Sequence, residues 1–450
     1  MADAQASEIG ATEALARQLL AEGRDDEAVG AWQSLVRVDP DDPNAEYGLA
    51  ATLYAAAREE EAEAACRRAI AKGLDGAPPW LFLGRLLSLQ SRLDEAEEAL
   101  REAVERDSLS VDGRRELAQL IWMRTADLAR ARVVFDTAPQ SLEITTLTVK
   151  LLQDAGDDAA AYALAAERAE RDPSLHLLAA RMAVRVDPQA CDRHLALTPP
   201  WLNARAKAKG EIEADLALGR GADAAGRSEA LHAAHPDDHY VTALLATAWR
   251  LAGDERWRTL YDYGRLVRSY RIEAPGGWST PGAYLADLER TLDRLHGPLA
   301  THPVGQSLRH GSQTQRSLLD YPDPEIRAFF DAIDAPIRQH LAAIGETGGY
   351  DIAGAWSVRL NRGGHHVDHV HPQGWLSSAF YVRTPRGEGR EGWIRFGEPG
   401  VPTSPKLEAE HWIQPEPGML VLFPSYMWHG TTPFFSDETR LTCAFDLVRG

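Results

Sequence analysis

The sequence predicts a multidomain α + β chain, in which an N-terminal α-solenoid is followed by a C-terminal β barrel of the jelly-roll type. Three observations support this prediction. Ala, Leu, Glu, Arg and Asp, which mostly favour helices, dominate the chain up to about residue 270. Within that region a pattern centred on alanine returns every 34 residues, at positions 28, 62 and 96. Beyond residue 270, glycine, proline and aromatic residues punctuate short apolar runs, as in sheet proteins.

The composition is that of an ordinary folded protein. The chain has 450 residues, of which 44% are hydrophobic and 26% charged, enough for two or three domains and unlike a disordered chain. No apolar run approaches the roughly 18 residues of a membrane helix. A net charge of −19 repels phosphate backbones, so we expect neither a membrane nor a nucleic acid as partner. Three scattered cysteines without a CxxC pair, and no secretory signal, lead us to expect a reducing, cytoplasmic location.

The repeated pattern describes one face of a helix. Each of the three alanines is followed by a larger apolar residue four positions later and by another apolar residue seven positions later. The positions are Ala28, Trp32 and Leu35; Ala62, Cys66 and Ala69; and Ala96, Leu100 and Ala103. Gly48 and Gly84 fall on the partner helix of two repeats, and Pro40 ends the first unit. The pattern weakens beyond residue 110, where an irregular helical bundle is the alternative.

This pattern resembles the tetratricopeptide repeat, which has a period of about 34 residues. The resemblance implies stacked helix pairs over residues 10–270 and a concave groove of the kind that often binds peptides. Because the helices carry no cluster of reactive residues, we expect this half to recruit a partner or to act as a scaffold.

Short apolar runs predict strands in the second half, residues 271–450, after a linker over residues 272–277 that contains Pro and Gly. The runs are 355–361, 375–382, 392–396, 419–423 and 440–448. Spacing of this kind is typical of a sandwich or barrel such as a jelly roll. Residues 279–346 read as partly helical, and we expect them to support one sheet.

Candidate metal ligands cluster in this second half. Four histidines lie within seven residues, at positions 365, 366, 369 and 371. Residues i and i+2 of a strand face the same side, so either His366 with Asp368 or His369 with His371 can direct two ligands at one metal. His429 follows a later apolar strand. A close pair and a distant histidine on a small barrel are typical of open facial iron sites.

Three further residues could bind a carboxylate beside such a metal. Arg440 and Thr442 lie on the strand that follows His429, and a guanidinium binds a carboxylate bidentately at any working pH. Tyr381 lies on the strand after the histidine cluster and could donate a second hydrogen bond. We interpret the tryptophans of this half, at positions 356, 375, 393, 412 and 428, as core residues.

The ordered set resembles the iron- and 2-oxoglutarate-dependent oxygenases, above all those carried behind tetratricopeptide repeats in bacterial proteins. The residues that carry the resemblance are 369–381, 417–425, His429 and 440–442, with weaker matches at 257–263 and 311–314. It implies a double-stranded β-helix that uses Fe(II), 2-oxoglutarate and oxygen. It assigns His429 as the distal ligand and Arg440 as the 2-oxoglutarate clamp. The HxD of the wider superfamily falls on His366 and Asp368, and the HxH of the narrower family on His369 and His371.

We therefore predict a dioxygenase that hydroxylates a substrate C–H bond. The predicted ligands are His369, His371 and His429, with His366 and Asp368 as the alternative first pair. No catalytic residue beyond the ligands is predicted.

The solenoid suggests a protein or peptide substrate, and the net charge favours a basic or neutral segment. Two alternatives remain. One is a degenerate metal-binding barrel in a scaffold protein, and the other is a cupin-like metalloenzyme that does not use 2-oxoglutarate. Of these, only the oxygenase needs a guanidinium such as that of Arg440.

Overall fold

The computed structural model describes the backbone of residues 2–450 and the side chains from residue 9 onward. The chain divides into two compact units, residues 1–139 and residues 140–450. Helical repeats followed by antiparallel sheets confirm the coarse α + β class. Compact units need not coincide with sequence domains, and the boundary predicted at about residue 270 stays a prediction.

The first unit consists of helices in which each odd-numbered helix packs on the next. Their bounds are α1 Ala2–Ala21, α2 Asp25–Val38, α3 Pro43–Ala55, α4 Glu59–Ala71, α5 Ala77–Leu89, α6 Leu93–Arg106, α7 Val111–Thr125 and α8 Leu128–Asp136. The alanines of the repeat are fully buried. A Cβ atom on Gly48 would lie 2.4 Å from the Trp32 ring, and one on Gly84 would lie 2.6 Å from Leu100. The two glycines therefore allow neighbouring helices to approach closely.

The second unit begins with further helices of the same kind. Their bounds are α9 Leu142–Asp154, α10 Asp158–Ala169, α11 His176–Val186, α12 Pro188–Leu197, α13 Ala204–Ala217, α14 Gly221–Ala234 and α15 His239–Ala252, followed by the short α16 Trp257–Leu260 and α17 Tyr263–Leu266. Side chains of Asp157, Asn203 and Asp238 accept backbone N–H groups at helix starts, which fixes where these helices begin. No described helix is both long and apolar enough to cross a membrane.

Two antiparallel sheets follow. The strands are β1 Arg268–Arg271, β2 Leu308–Gln313, β3 Tyr350–His366, β4 Leu376–Arg383, β5 Ile394–Phe396, β6 His411–Ile413, β7 Met419–Pro424, β8 His429–Thr431 and β9 Arg440–Arg449. The larger sheet has the order β1-β7-β4-β9-β3-β2, and the smaller one has the order β6-β5-β8. The five predicted runs lie in β3, β4, β5, β7 and β9. The chain joins the larger sheet at Arg268, before the predicted linker.

The larger sheet is covered on one face by helices α18 (Pro281–His296) and α19 (Pro324–Ile344). Tyr284 and Phe329 of these helices form one apolar cluster with Phe380 and Phe445 of the sheet, all of them fully buried. On the other face, side chains of β4 and β7 meet those of β5 in a second cluster, which also contains residues of α13 and α15. Phe396 and Phe423 of this second cluster contact His429, so the candidate site described below lies beside it.

The helices before the sheets anchor the segment that leads to His429. The Trp428 indole donates to Thr247 Oγ1 of α15 at 3.0 Å, and the Trp428 backbone N–H donates to the Tyr261 hydroxyl at 3.0 Å. Arg250 of α15 donates to the carbonyl oxygens of Gly397 and Glu408, both at 2.8 Å. These contacts explain why residues 140–270 belong to the same compact unit as the sheets.

Candidate metal centre and cosubstrate pocket

Backbone pairing brings the three predicted histidine ligands together. After β3 the chain runs beside β8, where the His369 N–H donates to the His429 carbonyl at 2.9 Å and the His429 N–H donates back at 3.1 Å. The His371 N–H donates to the Ser425 carbonyl at 2.9 Å. Since residues 369 and 371 project to one side, both imidazoles meet that of His429.

The three imidazoles have the geometry of a metal site. One ring nitrogen from each lies within 4.8 Å of the others, and the ring centroids are 4.2, 5.0 and 5.2 Å apart. Nδ1 of His369 donates to the Val367 carbonyl and Nδ1 of His429 to the Met427 carbonyl, both at 2.9 Å. A carbonyl can only accept, so Nδ1 carries the proton and Nε2 keeps its lone pair.

A carboxylate holds the third imidazole in the same tautomer. His371 Nδ1 lies 2.7 Å from Asp446 Oδ2, and the other oxygen of Asp446 accepts from the Ser377 hydroxyl at 2.7 Å. Ser377 and Asp446 face each other on β4 and β9, so the sheet register fixes this contact. A carboxylate behind a ligating histidine orients the ring and increases its basicity. Sequence reasoning missed Asp446, whose only signal is an acidic residue in an apolar strand.

The imidazoles of His369 and His429 are neutral donors at pH 7. Burial lowers the pKa of His369 to about 3 and holds the pKa of His429 well below its ordinary value. The Nε2 atoms of His369 and His371 lie 3.1 Å apart. Two lone pairs at this distance repel unless a cation or a proton lies between them. Metal–nitrogen bonds of about 2.1 Å at one ion bring neighbouring nitrogens roughly this close, so the donor set fits a divalent metal.

The alternative pair does not converge on one point. His366 lines the same cavity as the three imidazoles, and its Nδ1 lies 3.0 Å from the Ser307 hydroxyl. Asp368 instead forms a two-pronged ion pair with Arg395, in which Nε donates to Oδ1 at 3.1 Å. Burial raises the pKa of Asp368 to about 6. Its carboxylate is thus engaged by Arg395, which leaves His369, His371 and His429 as the candidate ligand set.

A cavity of about 800 Å³ opens beside the imidazoles and includes Arg440 and Thr442 in its wall. Arg440 is 2% exposed and donates to the Gly392 carbonyl at 3.1 Å, while its Nε has no hydrogen-bond partner among the described residues. It forms no ion pair with any described carboxylate. Because a buried cation without a counterion is costly, this guanidinium fits an anionic ligand in the cavity.

The other two predicted cosubstrate residues lie next to Arg440. The Arg440 guanidinium carbon is 4.9 Å from the centroid of the Tyr381 ring, a cation–π contact. Burial raises the pKa of Tyr381, so its hydroxyl keeps its proton. Tyr381 is not part of the cavity wall, whereas Thr442 is. The structure therefore places Tyr381 beneath the guanidinium and Thr442 at the cavity surface.

The weaker sequence matches have distinct structural positions. Gln313, in the run 311–314, lines the cavity. A Cβ atom on Gly311 would lie 2.3 Å from the Arg359 carbonyl, so only glycine allows β2 to pass β3 there. Tyr261, in the run 257–263, anchors Trp428. Trp356, read from the sequence as core, lines the cavity and stacks on His371 with centroids 5.9 Å apart.

Comparison with known families confirms the resemblance that the sequence indicated. Residues 354–446 match the family described as "Putative 2OG-Fe(II) oxygenase". The matched segment contains the three histidines, Arg440 and Asp446. It follows the helical repeats of the N-terminal region. The comparison with curated proteins gave no match.

Solved structures similar to the chain are distant. The C-terminal part of a TPR repeat-containing protein from Cytophaga hutchinsonii has 14% identity and a TM-score of 0.36, covering 56% of this chain and 98% of that one. The viral collagen prolyl hydroxylase of Paramecium Bursaria Chlorella virus-1 has 15% identity and a TM-score of 0.28, covering 42% and 97%. YrrB, a TPR protein with an unusual peptide-binding site, has 16% identity and a TM-score of 0.29, covering 36% and 85%.

Exchanging single ligands distinguishes the two possible pairs. We expect His371→Ala to lose most of its iron at micromolar metal, because one of three protein donors is removed. Asp368→Ala should retain the iron, since that carboxylate pairs with Arg395, although it should lower stability. The test is to measure the iron bound per chain in both purified variants. If Asp368→Ala alone loses the metal, the first pair is His366 with Asp368.

The carboxylate behind His371 should affect metal affinity without being a ligand. We expect Asp446→Asn to weaken metal binding about 10- to 100-fold, because the neutral amide no longer increases the basicity of the imidazole. Competition with a chelating dye measures the affinity, and circular dichroism reports on folding. Asp437→Asn, at an exposed acidic residue outside the cavity, is the matched control. Equal affinities in both variants would contradict a role for Asp446.

Proposed function

We propose that this protein is an Fe(II)- and 2-oxoglutarate-dependent oxygenase that hydroxylates a C–H bond of a protein or peptide. One observation carries the proposal. Three histidines that converge on one point and a buried Arg440 that forms no ion pair with any described carboxylate line the same cavity. The first group suits a divalent metal and the second suits a carboxylate of the cosubstrate. The family match over residues 354–446 supports the same assignment.

Each residue then has a defined task. His369, His371 and His429 would hold the metal through Nε2, while Val367, Met427 and Asp446 keep the tautomer that leaves Nε2 free. The Arg440 guanidinium would bind a carboxylate of 2-oxoglutarate, supported by Tyr381 below it. With iron and 2-oxoglutarate bound, dioxygen would supply the oxidising power that such enzymes use on a C–H bond, and 2-oxoglutarate would be oxidised to succinate and carbon dioxide in the same turnover. We propose a double-stranded β-helix as the scaffold, formed by the two facing sheets.

The ligand set also favours one alternative. All three candidate ligands are imidazoles, which supply no negative charge, whereas the usual facial iron site contains a carboxylate. A metal-binding barrel without oxygenase activity, in a protein whose repeats assemble partners, would need no such charge. The carboxylate of Asp446 lies one hydrogen bond behind His371, however, and supplies a negative charge close to the metal. Together with Arg440 it favours the oxygenase.

Removing the guanidinium tests the cosubstrate assignment. We expect Arg440→Leu to weaken 2-oxoglutarate binding by about 2–3 kcal/mol, or roughly 30- to 150-fold, because a charged contact in a closed pocket is lost. Iron affinity should not change. Arg440→Lys keeps the charge but not the bidentate geometry, so its 2-oxoglutarate affinity should lie between those of the parent and Arg440→Leu. Isothermal titration with 2-oxoglutarate in the presence of ferrous iron, without oxygen, measures the affinities. Equal 2-oxoglutarate affinity in Arg440→Leu and the parent would contradict the assignment of 2-oxoglutarate as the cosubstrate.

A further inference from the structure

Helices of the repeat region form part of the cavity wall. Lys150, Gln153 and Asp154 of α9 and two arginines of α11 line the same cavity as the candidate metal ligands. The helices and the sheets belong to one compact unit. A substrate that enters this cavity must therefore pass side chains from the helical repeats as well as from the barrel.

The wall of the cavity is strongly cationic. Its basic residues are Lys150, Arg181, Arg185, Arg309 and Arg440, and its acidic residues are Asp154 and Asp446. Five positive and two negative side chains give a net charge of +3 with neutral histidines, in a chain whose net charge is −19. A cavity with an excess of one charge raises the local concentration of ligands of opposite charge.

The two carboxylates are already engaged within the protein. Asp154 Oδ2 accepts the Gly305 N–H, and its Oδ1 lies 3.4 Å from Arg309. Asp446 binds His371 and Ser377. Asp154 attracts Lys150 at longer range, but neither carboxylate forms an ion pair with the remaining cations of the wall.

Three cations of the wall form no ion pair with any described carboxylate. Lys150 and Arg181 are exposed and form no ion pair or hydrogen bond with any described residue. The exposed Arg185 donates to a neutral acceptor, the Gly400 carbonyl, at 2.5 Å. In a chain with 67 acidic and 48 basic residues, cations at a cavity mouth could readily have been paired. We call Lys150, Arg181 and Arg185 the cationic rim.

We propose that the substrate is an acidic peptide segment whose carboxylate or phosphate groups bind the cationic rim while the residue to be modified enters the cavity. This inference rests on the proposed function, whose substrate class it specifies. Gln153, Gln306 and Gln313 also line the cavity and offer amides that can hydrogen-bond to a peptide backbone. The overall negative charge of the chain, which suggests a basic or neutral segment, is not shared by the cavity.

Peptide binding to the full-length protein tests the proposal. The probes are short fluorescein-labelled peptides of alternating glycine and glutamate, with matched peptides that carry phosphoserine, glutamine or lysine instead. Fluorescence anisotropy gives the affinity of each. We expect the glutamate or phosphoserine peptide to bind at least about tenfold more tightly than the glutamine peptide at low salt, and the difference to shrink as salt is added. The two anionic peptides distinguish carboxylate from phosphate recognition.

Charge reversal on the rim identifies the site. The double variant Lys150→Glu/Arg181→Glu should abolish the preference for anionic peptides. Its neutral counterpart Lys150→Gln/Arg181→Gln should reduce the preference and serves as the second variant if reversal impairs folding. Arg171→Glu, at a residue that is 71% exposed in its side chain and outside the cavity wall, is the matched control and should bind as the parent does.

Two results would overturn the proposal. One is equal affinity of the parent for the anionic and glutamine peptides. The other is a preference for anionic peptides that persists in the double variant Lys150→Glu/Arg181→Glu. This result would overturn the proposal even if the double variant bound 2-oxoglutarate more slowly than the parent. Binding of 2-oxoglutarate to the iron-loaded parent, measured in parallel, reports on the proposed function alone. If the parent prefers anionic peptides but does not bind 2-oxoglutarate, the cationic rim is supported as a peptide-binding site and the proposed oxygenase function is contradicted.

Discussion

The candidate site depends on two backbone hydrogen bonds between His369 and His429. They join the segment after β3 to β8 at 2.9 and 3.1 Å and set two imidazole rings 4.2 Å apart. The alternation of side chains along an extended segment then brings His371 to the same point and turns Asp368 away towards Arg395. A slip of this pairing by one residue would turn His369 and His371 away from His429, and a slip by three would bring His366 and Asp368 to their positions.

The helices and the sheets are not independent parts of this site. Trp428, next to His429, is held by Thr247 and Tyr261, so the position of one candidate ligand depends on helices of the repeat region. The same region supplies the cationic rim. These helices thus contact both the segment that carries a candidate metal ligand and the mouth of the cavity, in addition to the recruitment expected from the sequence.

Local patterns predicted much of this architecture, and long-range contacts determine the rest. Short apolar runs indicated β3, β4, β5, β7 and β9, and the spacing of the histidines indicated two candidate pairs, of which the family resemblance favoured the HxH. The edge strands β1 and β6 have only four and three residues, which is too short for such a signal. Asp446 gains its role from the register of β9 with β4. In the sequence, the rim residues look like ordinary exposed cations of helices. Only the fold places α9 and α11 beside the barrel, so the net charge of the chain could not reveal that the cavity is positively charged.

The most direct measurement is an anaerobic titration of the full-length protein with ferrous iron and 2-oxoglutarate, followed by visible spectroscopy. A weak charge-transfer band is expected only when both are present, because the cosubstrate held by Arg440 must reach the metal held by His369, His371 and His429. The expected result is a band that saturates at one equivalent of each and is absent in His429→Ala. Stoichiometric iron binding without any band at saturating 2-oxoglutarate would contradict a shared metal and cosubstrate site.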